Sequence, residues 1–276
     1  MSSSLPQVSI IVPAYNFGHL ISQTLDSINA QTYEDWECVV IDDGSTDETK
    51  KVIAEYAKKD ARIKYVYQDN QGLSAARNCG IRQCAGEYVQ FLDADDFIEE
   101  RKLEHHALYL KQHAEVDVVY GNVRYFRSEK MSERLFSKDD AARSWMPEVS
   151  GTGTEILRAM IGQIIMPVNA ALLRKSVFER VGFFDEHLKA MEDWDFWRRA
   201  ARAGIRFQYF DPQGTFALVR AQPESMSKDR RRMTQAFSMV QERMKADALD
   251  REIADIYRKM SAQMEGCVGT WAVTDG

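Results

Sequence analysis

Short apolar runs alternate with stretches of helical spacing over the first 120 residues of the chain. The runs have the length of buried strands, and the first of them, residues 8–13, ends at a proline. Between the runs, apolar residues recur three or four positions apart, as they do on the inner face of a helix. Strands are predicted at residues 8–13, 37–42, 63–67, 88–92 and 116–120. This alternation predicts an α/β fold with a mainly parallel sheet that is flanked by helices.

The later part of the chain is less regular. Residues 127–153 are polar and weakly periodic, which predicts a long loop or an excursion from the fold. From residue 228 the pattern becomes that of one or two amphipathic helices. Further elements are expected as helices at 177–181 and 191–201 and as short strands at 205–210 and 215–219.

These patterns suggest a division of the chain into a main domain and a helical extension. We expect one domain over residues 1–227, made of two halves at 1–120 and 121–227. Residues 228–276 form the C-terminal helical extension. The chain ends without an obvious stop signal, so one interpretation is that it is a fragment of a longer protein.

The net charge of the chain is −6, so no long-range attraction would draw it to nucleic acid. An acidic protein that binds an anionic nucleotide needs a metal ion or local basic groups between the two. No apolar run approaches the ~20 residues that cross a bilayer, and the start lacks the pattern of a secretory signal. We expect a cytoplasmic protein, with attachment at the inner face of a membrane as the alternative.

Polar and acidic residues follow four of the predicted strands. In parallel α/β sheets, ligands bind beyond the carboxyl ends of the strands, so these residues are expected to converge on one site. They are Pro13, Ala14, Tyr15 and Asn16 after the first strand, Asp42, Asp43 and Gly44 after the second, Gln68 and Gly72 after the third, and Asp93, Ala94, Asp95 and Asp96 after the fourth.

Three carboxylates within four residues mark the end of the fourth strand. Asp93, Asp95 and Asp96 would repel one another strongly unless a cation neutralised them. Oxygen ligands of this kind suit Mg²⁺ or Mn²⁺. The competing interpretation is that these residues only form a turn and cap a helix.

Two other segments carry charges that suit a nucleotide. Asp42 is placed to accept a hydrogen bond from a base or a ribose. Ser45 is predicted to cap the helix that follows. Gly72 opens the third helix, and Arg77 within that helix supplies a permanent cation. A surface ion pair is the alternative role for Arg77. The sequence lacks the glycine patterns of dinucleotide and P-loop sites.

Glu192 and Asp193 begin a later helix among aromatic residues. Acidic residues in a first turn complement the helix dipole, which is the structural interpretation. A carboxylate among tryptophans is also partly desolvated, so its pKa rises and it suits general-base catalysis.

These motifs, in this order and spacing, resemble the signature of family-2 inverting glycosyltransferases. The resemblance covers residues 8 to 227 and implies the GT-A fold, a Rossmann-like sheet, with a nucleoside-diphosphate sugar, usually UDP-linked, as donor. It also implies that residues 1–120 form the nucleotide-binding half of the domain and residues 121–227 the half that holds the acceptor and the catalytic base. The residues that carry it are 8–16, 40–47, 72–78, 91–96 and 192–193.

The resemblance also implies residue roles. Pro13, Tyr15, Asp42 and Arg77 would line the nucleoside, and Asp93 would contact the ribose or the sugar. Asp95 would hold Mn²⁺ or Mg²⁺ and the diphosphate, and Asp193 would be the catalytic base. Relatives often carry a metal-binding histidine where this chain has Gln222, so the third metal ligand differs here.

The expected partners are the sugar donor and a carbohydrate, lipid-linked or protein acceptor. The C-terminal helices are expected to pack on the domain, with a homo-oligomer contact or a link to a further domain as alternatives. Two rival functions are a non-catalytic nucleotide-sugar-binding module and a sugar-nucleotidyltransferase. The second normally needs a basic glycine-rich loop after the first strand, and residues 13–18 contain no basic residue.

Overall fold

The structure is a computed structural model, and it describes residues 5–136, 144–160, 163–222, 229–246, 251–252, 254–259 and 262. The strands are β1 (Val8–Ala14), β2 (Trp36–Asp43), β3 (Ile63–Gln68), β4 (Tyr88–Phe91), β5 (Phe97–Ile98), β6 (Val118–Tyr120), β7 (Val123–Arg127), β8 (Lys130–Leu135), β9 (Ala171–Arg174), β10 (Phe207–Tyr209) and β11 (Ala217–Arg220). The helices are α1 (Ile21–Asn29), α2 (Thr49–Lys59), α3 (Leu73–Gln83), α4 (Lys102–Gln112), α5 (Gly153–Ala159), α6 (Val177–Val181), α7 (Glu192–Arg202) and α8 (Arg230–Ala246).

The main sheet confirms the mainly parallel α/β architecture. Within the described residues it has seven strands in the order β10-β6-β9-β4-β1-β2-β3. Strand β9 runs antiparallel to β4 and β6, and the other neighbouring pairs are parallel. Since β1, β2, β3 and β4 share one direction, their carboxyl ends lie at the same edge of the sheet.

Helices cover both faces of this sheet because its central strands are apolar on both sides. Every residue of β1 is buried. Val8, Ile10 and Val12 pack in the core with α1 and α4, whereas Ile11 packs in the core on the other face. This period of two gives two separate cores, as expected for a sheet enclosed between helical layers.

The prediction of a long loop at residues 127–153 is wrong in part. Strands β7 and β8 form an antiparallel hairpin there, and a second sheet has the order β5-β11-β7-β8 in the described chain. Only Leu135 of β8 is buried, so this edge strand shows no apolar alternation in the sequence. Helix α5 also begins at Gly153, with a capping box between Thr152 and Glu155.

The predicted helix cap at Ser45 is also wrong. Helix α2 begins only at Thr49, whose amide donates to the side chain of Asp47 at 2.9 Å. The Ser45 hydroxyl instead accepts from the backbone amide of Asn16 at 2.9 Å. Ser45 thus joins the loop after β1 to the loop after β2.

Helix α8 lies against the α/β domain. Its apolar residues Phe237, Val240 and Met244 join the same core as Phe196 and Trp197 of α7. The domain boundary at residue 227 stays a prediction. Among the described residues, no helix is both long enough and apolar enough to cross a membrane.

Candidate active site

The loops at the carboxyl edge of the main sheet surround a cavity of about 1130 Å³. Four of the predicted site residues, Asn16, Asp42, Gly44 and Gln68, are not among those that line it. The predicted site residues that line it are Pro13, Ala14, Tyr15, Asp43, Gly72, Arg77, Asp93, Ala94, Asp95, Glu192 and Asp193. Residues far apart in sequence thus meet where the strand order predicts a ligand site.

The acidic loop after β4 is held in place from the second sheet. Asp96 is buried and accepts from the side-chain amide of Asn169 and from the backbone amide of Arg220, the latter at 2.8 Å. Burial, with the negative charges of Asp95 and Asp93, raises the pKa of the Asp96 carboxyl well above its usual value. Asp96 is therefore a structural member of the acidic cluster.

Asp95 contacts Gln222, the residue that stands where relatives carry a histidine. The Gln222 Nε2 donates to Oδ2 of Asp95 at 2.8 Å, and the Arg220 Nε donates to its backbone carbonyl at 2.9 Å. In the parts of the chain that the structure describes, no group of three or more His, Cys, Asp or Glu side chains is arranged to hold a metal ion.

Arg77 joins the two acidic segments of the cavity. Its side chain is only 2% exposed, and its terminal nitrogens donate to Asp93 at 2.7 Å and to Glu192 at 2.5 Å. Burial alone would lower the pKa of this guanidinium, but Asp93 and Glu192 together raise it. The predicted cation at Arg77 is therefore an internal clamp that fixes Asp93 of the loop after β4 and Glu192 of α7.

Asp193 lies in the first turn of α7, next to Glu192. Met191, which precedes this turn, has the left-handed φ of 57° that is uncommon for a residue other than glycine. Burial and the charge of Glu192 raise the pKa of Asp193 to about 7, although the Arg77 charge opposes them. A carboxylate with that pKa can accept a proton near neutral pH.

Of the two acids that end β2, Asp43 lines the cavity and Asp42 does not. Asp43 accepts from the Gln68 side chain at 2.7 Å and from the backbone amides of Gln71 and Gly72 at 2.9 and 2.8 Å. Asp42 accepts instead from the Tyr65 hydroxyl at 2.8 Å. Asp43 thus fixes the entry to α3, which Gln68 supports from β3.

Asn16 and Gly44 shape the rim without lining the cavity. The Asn16 side chain accepts from the amide of Thr46 at 2.8 Å and so ties the first two loops together. Gly44 has a φ of 82°, and a β carbon there would lie 2.8 Å from the backbone nitrogen of Asn70. Only glycine fits this turn without displacing the neighbouring loop.

Several lining residues were not predicted from the sequence. Trp145 and Ile164 come from the polar segment and its continuation, and Arg232 and Met233 come from the first turn of α8. A tryptophan isolated in a polar stretch and three consecutive arginines, Arg230 to Arg232, in an acidic chain were the available signals.

Comparison with known proteins places this site in a family. The model of Glycosyl transferase family 2 matches residues 9–182, which hold the strand ends described above. The chain belongs to this family. The match ends before α7, so the region of Glu192, Asp193 and α8 lies beyond the matched segment.

Similar sequences occur in several bacteria. An uncharacterized glycosyltransferase of Rickettsia prowazekii is 32% identical over 206 residues, which are 75% of this chain and 61% of that protein. The uncharacterized glycosyltransferase EpsJ of Bacillus subtilis is 33% identical over 226 residues, which are 81% of this chain and 64% of that protein. The chain therefore spans less than two thirds of the length of these relatives.

Solved structures share the GT-A fold of this chain. Residues 1–349 of TarS from S. aureus superpose with a TM-score of 0.74 at 21% identity, over 98% of this chain and 75% of that one. The mannosyltransferase PcManGT from Pyrobaculum calidifontis, in complex with GDP-Man and Mn²⁺, gives 0.66 at 21% identity, over 99% and 77%.

Proposed function

We propose that this chain is an inverting glycosyltransferase that moves a sugar from a nucleoside-diphosphate sugar to an acceptor hydroxyl. One observation carries the proposal: Asp193, whose pKa is raised to about 7, lines the same cavity as Asp95 of the acidic loop. A proton acceptor and a region suited to a diphosphate thus share one cavity. Family membership supports the same reaction class.

The proposed reaction is a single displacement. Asp193 removes the proton of the acceptor hydroxyl while that oxygen attacks the anomeric carbon of the donor. The bond from the anomeric carbon to the diphosphate oxygen breaks, and the nucleoside diphosphate leaves with the bonding electrons. Attack opposite the leaving group inverts the anomeric centre. Glu192 assists because its charge raises the pKa of Asp193, which strengthens the base.

The donor is proposed to lie along the loops after β1, β2 and β4. Tyr15 lines the cavity with 48% of its surface exposed, so its ring is available to a nucleoside. Asp93 keeps 34% of its side chain exposed beside Arg77, which suits contact with a ribose or a sugar. TarS has been solved with UDP and with UDP-GlcNAc, and PcManGT with GDP-Man, which supports a nucleotide sugar. We propose a UDP-linked donor.

The acidic loop is suited to a divalent cation that the diphosphate also binds. Mg²⁺ is commonly held by one or two carboxylates together with substrate phosphates, so a site without three acidic ligands is compatible with it. Asp95 would hold Mn²⁺ or Mg²⁺, with Gln222 at 2.8 Å as the neighbouring polar group. Such an ion supplies Lewis-acid stabilisation of the charge on the departing diphosphate.

The acceptor is proposed to enter along the apolar wall of the cavity. Trp145, Trp194 and Met233 supply apolar surface to the same cavity as Asp193. Aromatic rings offer flat apolar surfaces that suit the apolar faces of sugar rings. We therefore favour a carbohydrate acceptor, either free or attached to a lipid or a protein.

The decisive experiment replaces the proposed base. Asp193→Asn should lower transfer at least a hundredfold, because general-base catalysis contributes about 10²–10⁴-fold. UDP binding should change little, since the amide keeps the shape of the side chain. Asp35→Asn is the matched control, because Asp35 is exposed and does not line the cavity. Transfer and nucleotide release would be measured with UDP-, GDP- and dTDP-sugars, with and without Mn²⁺.

The same assay separates the rival functions. Release of a nucleoside diphosphate from a sugar nucleotide supports the glycosyltransferase. Binding without release would indicate a non-catalytic module, and release of pyrophosphate from a nucleoside triphosphate would indicate a nucleotidyltransferase. Full transfer by Asp193→Asn would refute the assignment of the base alone.

A further inference from the structure

The first turn of α8 contributes to the wall of the cavity. Arg232 and Met233 both line it, although they lie beyond residues 9–182, which match the family model. Arg232 is one of three consecutive arginines in a chain with a net charge of −6. Arg232 thus brings a positive charge to the cavity.

The cavity contains many more carboxylates than available cations. Two arginines are committed to other groups: Arg77 pairs with Asp93 and Glu192, and Arg220 donates to Asp95, Ser128 and Gln23. The lining carboxylates are Asp43, Asp93, Asp95, Asp96, Glu192 and Asp193. A diphosphate that enters this cavity meets strong repulsion unless further cations face it.

Among the residues that the structure describes, the Arg232 side chain uses only its Nε for a hydrogen bond. Its Nε donates to the backbone carbonyl of Lys189 at 2.5 Å. Neither terminal nitrogen donates to an acceptor or pairs with a carboxylate among the residues that the structure describes. The Lys189 contact orients the guanidinium, so its outer edge is free to donate two parallel hydrogen bonds to an anion.

Lys189 links Arg232 to the loop at Gly72. The Nζ of Lys189 lies 3.7 Å from where a β carbon on Gly72 would be. Gly72 lines the cavity, and its amide donates to Asp43 at 2.8 Å. The ammonium of Lys189 therefore lies next to the segment that joins β3 to α3, and the backbone of the same residue holds Arg232.

Ion pairs hold α8 in this position. Arg243 of α8 pairs with Asp185, and its other terminal nitrogen lies 3.4 Å from the buried Asp195 of α7. Asp185 belongs to the segment between α6 and α7 that also contains Lys189. The C-terminal half of α8 is thus tied to the helix that carries Asp193 and to the segment that contains Lys189.

We propose that Arg232 binds a phosphate group of the donor, so that α8 completes the donor site. This inference rests on the proposed function, because it assumes a nucleoside-diphosphate ligand. Arginine binds phosphate oxygens in a bidentate manner and stays charged at any physiological pH. In the reaction it would face the charge that gathers on the leaving diphosphate, and Lys189 would add to the attraction.

The test compares two arginines of the same helix. Arg232→Gln should weaken binding of UDP roughly tenfold, about the effect of losing one charged hydrogen bond. Arg231→Gln is the matched control, because Arg231 is exposed and does not line the cavity. Calorimetry with UDP in the presence of Mn²⁺ measures the effect. Uridine, which lacks phosphates, should bind both variants as it binds the wild type.

The outcomes separate this inference from the proposed function. Wild-type protein that binds none of UDP, GDP and dTDP would overturn the proposed function, and this inference with it. Wild-type binding of a nucleotide that Arg232→Gln leaves unchanged would overturn the role of Arg232 alone. Thermal unfolding checks that the variants fold, and if Arg232→Gln does not, Arg232→Lys replaces it. Lysine keeps the charge without the two parallel donors, so its UDP affinity should fall severalfold, and wild-type affinity would contradict bidentate binding.

Discussion

Single residues in this cavity owe their chemistry to neighbours that are distant in sequence. The acids Asp93, Asp95 and Asp96 are adjacent in the chain, yet each has a different partner: Arg77, Gln222 and Asn169. Their clustering at a strand end could be predicted from sequence, because parallel strands bring their carboxyl ends together. The separate roles could not, since they depend on which side chains approach from the second sheet and from α3.

The two adjacent acids of β2 illustrate the same limit. Successive side chains of a strand point to opposite faces of the sheet, so Asp42 and Asp43 cannot both point to the same face. The sequence favoured Asp42 for the nucleotide, whereas Asp43 lines the cavity. A shift of one residue in the position of the strand end decides between them, and hydrophobic patterns do not define strand ends that closely.

The raised pKa of Asp193 predicts how activity depends on pH. A general base must be deprotonated, so kcat/KM should fall tenfold per unit as the pH drops below about 7. The Glu192→Gln variant removes a negative charge that raises this pKa. Its acid limb should therefore move to lower pH, as measured from full pH profiles. A limb that moves to higher pH would contradict the electrostatic origin of the shift.

At the scale of elements, the chain predicts its central strands well and its edge strands poorly. Strands β1 and β2 are buried along their whole length, so they appear as continuous apolar runs. Strand β8 is exposed over most of its length, and β5 has only two residues. Such elements form because a neighbouring strand pairs with them, and that neighbour lies far away in sequence.

Helix α7 carries two acids with opposite electrostatic situations. Asp193 has a raised pKa, so its charge above neutral pH is unfavourable to the folded state. Asp195 is fully buried between Arg198 and Arg199 at 2.9 and 2.8 Å. Burial alone would raise the pKa of Asp195, but the charges of Arg199 and Arg198 lower it. The charge of Asp195 therefore stabilises the fold above the carboxyl's ordinary pKa and ceases to do so in acid.

The different environments of Asp193 and Asp195 predict that replacement by Asn changes the free energy of unfolding differently at the two positions. Asp195→Asn should lower the free energy of unfolding by about 3 kcal/mol at pH 8, because it leaves the buried Arg198 without its carboxylate. Asp193→Asn should leave that free energy equal or higher, since it removes an unfavourable charge. Urea unfolding of both variants measures the difference. Equal destabilisation by the two would show that helix packing, rather than charge, determines the effect.

For the whole molecule, charge sets the conditions for binding an anionic donor. A net charge of −6 and the carboxylates that line the cavity oppose the approach of a diphosphate. The negative net charge alone predicts that an anionic donor needs a mediating cation. The position of α8 at the cavity could not be predicted, because Arg232 lies 137 positions after Asp95 and no sequence pattern links the two residues.

This balance predicts a strong dependence of nucleotide binding on divalent metal. Removal of metal with EDTA should weaken UDP binding at least tenfold, and Mn²⁺ or Mg²⁺ should restore it, as titration calorimetry would measure. Uridine is the control, because a ligand without phosphates should bind equally in both conditions. Unchanged UDP affinity in EDTA would mean that arginine side chains alone neutralise the diphosphate.

The segment between α6 and α7 has a consequence for how proteins with this fold could diversify. Asn78 of α3 exchanges hydrogen bonds of 2.9 Å with the backbone of Phe184, and the same segment leads into Asp193. The segment that leads to the proposed base is therefore anchored to α3, whereas Trp145 comes from a separate excursion of the chain. Mutations in that excursion can therefore change which acceptor is preferred during evolution, while the position of the proposed base, Asp193, stays the same.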